Sequence, residues 1–243
     1  METMNANKMK VEIWSDVMCP FCYIGKRRFE AALEQFPNKN KIEIEWKSFQ
    51  LNPNMITNPN KKIDAYLAEV KGISLEQAKE MNERVTAMAK EVGLTYHFEK
   101  AIVANSFDAH RFTHFAKSKD LQDAAEERLF KAYFTEGKNT ADASTLVELG
   151  VEIGLDENEV NALLQSTTFS EAVNEDINEA RNIGVSGVPF FVFDRKYAVS
   201  GAQASESFLQ VLTQSFSEWQ SEQATLTTSQ SDENVCTPEG ECS

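Results

Sequence analysis

The chain is poor in cysteine. Four in 243 residues are too few to staple a fold of this size, and a chain this long buries a core without covalent help. In a reducing compartment such cysteines are catalytic, metal-binding or incidental. Positive charge is also short. With 24 Lys and Arg against 38 Asp and Glu, the net charge of −14 repels nucleic acid phosphates and anionic membrane surfaces. Neither a nucleic acid nor a membrane is an expected partner. The chain has no run of about 18 apolar residues to span a bilayer, and its opening, METMNANKMKVEIW, lacks the apolar stretch of a secretory signal. The expectation is a soluble, cytoplasmic protein without internal repeats.

What the chain does contain is SDVMCPFCYIGKRRF, residues 15 to 29. Before it, Val11 and Ile13 alternate with Glu12, a strand signal. After it, Cys22, Phe29, Leu33 and Phe36 recur at helical spacing up to Pro37, which reads as a helix with one buried face. Ile42, Ile44 and Trp46 then alternate with charged residues. The order is strand, helix, strand, with Cys19 and Cys22 where the first strand meets the helix.

From about Asp64 to Ile183 the periodicity is helical, and no β pattern is visible in that stretch. Ser74 with Gln77 reads as a capping box, Gly93 as a helix stop, and Asp156 with Glu159 as an acidic start signal. VPFFVFDRKYAVSGA then predicts a hairpin turning at Asp194 and Arg195. A last helix starts near Ser205 with Phe208, Leu212 and Phe216 on one face. Past Trp219 the text is too polar to bury much surface, and a mobile tail is expected. Helices inserted into a small α/β unit explain the order.

A thiolate is the nucleophile of disulfide chemistry, and a helix start favours negative sulfur. Cys19 is therefore the expected attacking thiol and Cys22, one turn further in, the resolving one. Pro20 suits the first turn, where its missing N–H costs nothing. Half a zinc site would need two more ligands, and the only other cysteines lie far away in the tail. Two idle core cysteines remain an alternative. His110 and His114, four apart, could face a common metal, but that spacing arises readily by chance, and no metal is expected. Pro189 stands just before the returning strand. Cys236 and Cys242, in CTPEGEC, enclose turn formers and could close a small disulfide loop, or be idle surface thiols.

DVMCPFCYIGKRRFE, NSFDAHRF, LFKAYFTEG, GVSGVPFFVF and SGAQ resemble the DsbA-like branch of the thioredoxin superfamily, and within it the FrnE-type proteins. The resemblance implies an α/β thioredoxin fold interrupted by an all-helical insertion. Its parts would be residues 1–56, an insertion over 57–182, the second thioredoxin part over 183–220, and a tail over 221–243 with a second redox pair, Cys236 and Cys242. It implies thiol-disulfide oxidoreductase or isomerase activity on protein, peptide or small-thiol disulfides. Cys19, Cys22 and a cis Val188–Pro189 loop would carry it, with Phe21, Pro20, Val188, Asn105 and His110 along the substrate groove. No bound cofactor is expected, with glutathione a possible reductant. Glutathione-dependent isomerases and kappa-type glutathione transferases of this branch are similar in fold but generally have serine where Cys19 stands. A peptide-holding, chaperone-like module is the other class considered. Phe21 replaces the histidine of the periplasmic oxidants, which implies a less oxidising pair.

Overall fold

A computed structural model describes residues 8–231, with side chains described through residue 224. Strand β1 (Met9–Ser15) leads into α1 (Pro20–Gln35), and a short 3-10 turn returns the chain to β2 (Ile42–Ser48), parallel to β1. After the helical block come β5 (Phe190–Phe193) and β6 (Tyr197–Ser200), and the sheet order is β2-β1-β5-β6. The hairpin turns where expected, with φ of +49° at Asp194 and +55° at Arg195, the left-handed geometry that suits a tight turn between twisted strands.

The strand alternation sends opposite side chains to opposite faces. Ile13 and Val11 face α1 and the last helix, α9 (Ser205–Ser231), where Phe29 packs against Phe191, Phe193 and Phe208. Trp14 faces the other way, against Val192, Ala180 and Val185. Both faces are therefore covered, as a sheet with a buried central strand requires.

Between β2 and β5 lie α2 (Ile63–Lys71), α3 (Leu75–Glu91), α4 (Phe107–Lys117), α5 (Gln122–Phe130), α6 (Ala143–Glu152), α7 (Glu157–Leu164) and α8 (Ser170–Asn182). The Ser74–Gln77 capping box is complete, and Asp156 accepts from the backbone of Asn158 and Glu159. Three features depart from the sequence reading. A two-stranded sheet of β3 (Asn58–Lys62) and β4 (Ile102–Val103) interrupts the helical block; a two-residue strand has no alternation to read. A π-turn over Lys131–Glu136 follows α5. Helix α9 runs past Trp219 to Ser231 instead of yielding to a tail at 221. Extending an existing helix needs no new nucleus, and Glu218 and Glu222 anchor it to Tyr197 and Lys196 of the hairpin. Cys236 and Cys242 lie outside the described residues.

Candidate redox site

The site starts where β1 ends. The Cys19 N–H donates to the Asp16 carbonyl at 2.9 Å. The Asp16 carboxylate accepts from the Met18 N–H at 3.2 Å and from the Leu51 N–H at 2.8 Å, so one side chain ties the turn before the cysteines to the loop after β2. Cys19 is the N-cap of α1, Pro20 fills the first helical position, and the Cys22 N–H donates to the Cys19 carbonyl at 3.0 Å. Both thiols are free and buried. Burial pushes the Cys22 thiol well up, and the neighbouring Cys19 adds to the shift.

Across from the pair, the Val188–Pro189 bond is cis, and the Cys19 S–H donates to the Val188 carbonyl at 3.3 Å. The Gly201 N–H donates to the Pro189 carbonyl at 2.8 Å, holding this loop on the hairpin. Gly25 lets α1 approach it, since a Cβ there would lie 2.9 Å from Pro189 Cγ. Tyr96 reaches from the helical block to donate to the Pro20 carbonyl at 2.7 Å.

A cleft of about 410 Å³ opens beside Cys19, between the pair and helices α2 and α3. Pro20, Phe21, Val188 and Asp16 stand on its wall together with Met55, Leu67 and Met81. The structure thus brings together Cys19, Pro20, Phe21 and Val188, with Cys22 behind and Pro189 beneath. Asn105 and His110 are not on that wall. The Asn105 side chain accepts from Gln50 and the Phe107 N–H and donates to the Pro53 and Met55 carbonyls, so it is used up holding the loop after β2 on α4. His110 is 1% exposed and turned inward, with Nε2 3.7 Å from Asp16.

His110 belongs to a buried group that the sequence reading missed. Burial alone would lower its pKa, but the Asp16 and Glu126 carboxylates outweigh that and raise it. Glu126 is 2% exposed, and burial pushes its carboxyl up to about 7 against the opposing pull of His110. Among the described residues, both His110 ring nitrogens, one Glu126 oxygen and the Tyr133 hydroxyl have no hydrogen-bond partner. The local signal for Asp16 was present: an Asp just after a strand and before a helix start is a turn former through its side chain. Nothing local marks Glu126, whose neighbours in the chain are ordinary helix residues.

A mixed sheet flanked by helices on both faces, a cysteine pair at the first helix start and a cis-proline loop facing it define a thioredoxin fold. The chain belongs to the DSBA-like thioredoxin domain family, which it matches over residues 10–213. It is similar to a probable DsbA oxidoreductase from Streptomyces coelicolor, with 40% identity, a TM-score of 0.81, and 86% of this chain and 91% of that one covered. An uncharacterised protein of Bacillus subtilis, YwbO, is 26% identical over 200 residues, covering 82% of this chain and 92% of its own. The cytosolic disulfide reductase DsbM from Pseudomonas aeruginosa shares the fold at 17% identity and a TM-score of 0.58, over 90% of this chain and 98% of that one. No described helix is long and apolar enough to cross a membrane.

Proposed function

We propose that the protein catalyses thiol-disulfide exchange on peptide or protein disulfides, with Cys19 as the attacking and Cys22 as the resolving sulfur. The observation that carries this is the position of Cys19. Its sulfur sits at the helix start, on the cleft wall and 3.3 Å from the Val188 carbonyl. Cys22 lies behind it with 0% exposure. In the reductive direction the Cys19 thiolate attacks one substrate sulfur, forming a mixed disulfide and releasing the other as a thiolate. Cys22 then passes its proton to the released substrate thiolate and attacks the Cys19 sulfur, closing the Cys19–Cys22 bond and releasing the second substrate thiolate. The pair loses two electrons and the substrate disulfide gains them, about as thiol exchange requires. Run backwards, the same steps oxidise a dithiol.

The presence of sulfur at position 19, where isomerases and transferases of this branch generally carry serine, supports exchange over those activities. Phe21 offers no charge to stabilise a thiolate, which supports a reducing or isomerising role in a reducing compartment over strong oxidation. The motifs around the pair support the FrnE-type branch within the family.

Trapping tests the reading. With Cys22→Ser, a disulfide-bonded peptide should accumulate as a Cys19-linked adduct by mass spectrometry, and Cys19→Ser should show neither adduct nor turnover. An adduct on Cys22 in the Cys19→Ser protein, with turnover retained, would reverse the assignment. Equal turnover by wild type and the double variant would remove exchange altogether.

A further inference from the structure

On the face of β1 that turns toward α1 and α9, Met9, Val11 and Ile13 are fully buried and apolar. The next residue in that alternation is Ser15, which is only 1% exposed. A hydroxyl at the end of an apolar stripe loses its water, and burying one without a partner is unfavourable. Among the described residues no nitrogen or oxygen atom partners it. What it meets is sulfur. The Ser15 hydroxyl and the Asp16 N–H both lie at hydrogen-bonding position to Cys22, which is buried on the facing side of α1.

The backbone holds both donors in place. Ser15 pairs with Ser48 at the last rung of the β1–β2 ladder, and its carbonyl accepts from the Phe49 N–H at 2.9 Å. The Asp16 carbonyl accepts from the Cys19 N–H at 2.9 Å, and the Asp16 carboxylate is tied to the Met18 and Leu51 amides. Donors fixed by the fold need no reorganisation when charge develops, and they bind a charged acceptor more strongly than a neutral one. Cys22 needs that help. It lies inside α1, past the unpaired N–H groups that favour negative sulfur at Cys19. Burial pushes its thiol well up, and these two donors pull the other way. Where a thiol titrates above the ambient pH, the thiolate gained by lowering its pKa outweighs the nucleophilicity lost, which changes only about half as steeply.

We propose that Ser15 is a catalytic residue of the second step: its hydroxyl and the Asp16 N–H form a two-donor cradle that holds the Cys22 sulfur as a thiolate while it attacks the mixed disulfide. This rests on the exchange reading above. Once Cys22 has passed its proton to the released substrate thiolate, its negative sulfur accepts from both donors. It then attacks the Cys19 sulfur. The Cys22–Cys19 bond forms, the bond from Cys19 to the substrate sulfur breaks, and the electron pair leaves on the substrate. Ser15 keeps its proton throughout and supplies only a hydrogen bond.

The test mixes reduced full-length protein with an excess of a disulfide-bonded peptide, quenches with acid at successive times, and follows the Cys19-linked adduct by site-resolved mass spectrometry. Adduct formation reports attack by Cys19, and adduct decay reports attack by Cys22. Cys22→Ser supplies the trace without decay. Ser15→Ala should form the adduct at the wild-type rate and lose it about three- to tenfold more slowly, as expected when a charged sulfur loses one donor and regains part of the loss as nucleophilicity. Ser15→Thr, which keeps the hydroxyl, should restore the decay. Urea unfolding of Ser15→Ala should show no loss of stability, since the hydroxyl removed has no nitrogen or oxygen partner among the described residues. Unchanged decay in Ser15→Ala overturns the cradle and leaves exchange standing. Formation and decay slowed by the same factor also overturn it, because that marks a distorted site and not a donor lost to Cys22. Absence of a Cys19 adduct in every protein, Cys22→Ser included, overturns the exchange reading itself.

Discussion

His110 and His114 sit one turn apart on α4, both buried, and lie in opposite kinds of surroundings. His114 meets Ser48 at 3.2 Å and Asp176 at 3.0 Å. Asp176 also accepts from the Ser48 N–H at 2.8 Å and pairs with Lys47 at 2.6 Å, while its own carbonyl accepts from the Trp14 indole. This network fastens α4 and α8 to β1 and β2, and every polar group named in it has a partner. One turn earlier, His110 has no hydrogen-bond partner among the described residues on either ring nitrogen and faces Asp16 and the raised carboxyl of Glu126. A buried polar group without a partner costs about 1–3 kcal/mol. The cost is concentrated at the turn of α4 beside Asp16 and the redox loop, and the saturated network stands one turn further along the same face.

Removing the hub of the saturated network should give the largest effect. Asp176→Ala leaves Lys47, His114 and the Ser48 amide facing a gap, and breaking a buried pair from one side costs about 3–5 kcal/mol. Urea unfolding should show that loss, while exchange per folded molecule stays near wild type. A rate loss larger than the loss of folded protein would mean that this network serves the site as well.

The pH response separates the two sides by sign. Burial alone would raise the Asp176 carboxyl, but hydrogen bonds from His114, Lys47 and the Ser48 amide win and lower it. Its folded value lies below the unfolded 3.8, so the stability it contributes is present above 3.8 and is lost as pH falls toward the folded value. Glu126 runs the other way. Its folded value of about 7 lies above the unfolded 4.5, so the folded state holds the extra proton between them, and stability falls as pH rises through that window. The shift corresponds to about 3 kcal/mol. His110, with its folded value raised above 6.5, adds a loss of the same sign as pH climbs through its folded value. Denaturation midpoints measured from pH 4.5 to 8 should fall with pH in the wild type and flatten in Glu126→Gln. An unchanged slope would show that Glu126 is already ionised at low pH.

A matched pair of glycine substitutions gives the smallest effects. A Cβ at Gly25 would meet Pro189 Cγ at 2.9 Å, and one at Gly150 would meet Val160 Cγ2 at 3.0 Å. Overpacking of this kind costs about 1–3 kcal/mol at either place. Only Gly25→Ala displaces the loop that carries the Val188 carbonyl, so it alone should slow the consumption of a peptide disulfide. Equal rates in the two variants would show that the loop tolerates movement against α1.

The sequence by itself determined the elements whose signals are local. The order of strand, helix and strand around Cys19 and Cys22, the Ser74–Gln77 cap and the Asp194–Arg195 turn depend on side chains a few positions apart, where periodicity and capping are written directly in the chain. Groove positions for Pro20, Phe21 and Val188 were implied only by the family resemblance, not by these local signals. Tertiary structure decided the rest, because it depends on which distant residues meet. It turned His110 inward to Asp16 and gave Asn105 to the loop after β2, although a groove position looked equally open to both from the sequence. It created β3 by pairing the polar segment Asn58–Lys62 with β4, two residues too few to announce themselves, and carried α9 past Trp219 by anchoring it to the hairpin. It also assembled an apolar, nearly uncharged cleft from residues spread from Asp16 to Val188. Hydrophobic and electrostatic free energies depend on the neighbours a group finally has, and for those residues the neighbours are set only when the helical block closes over the sheet.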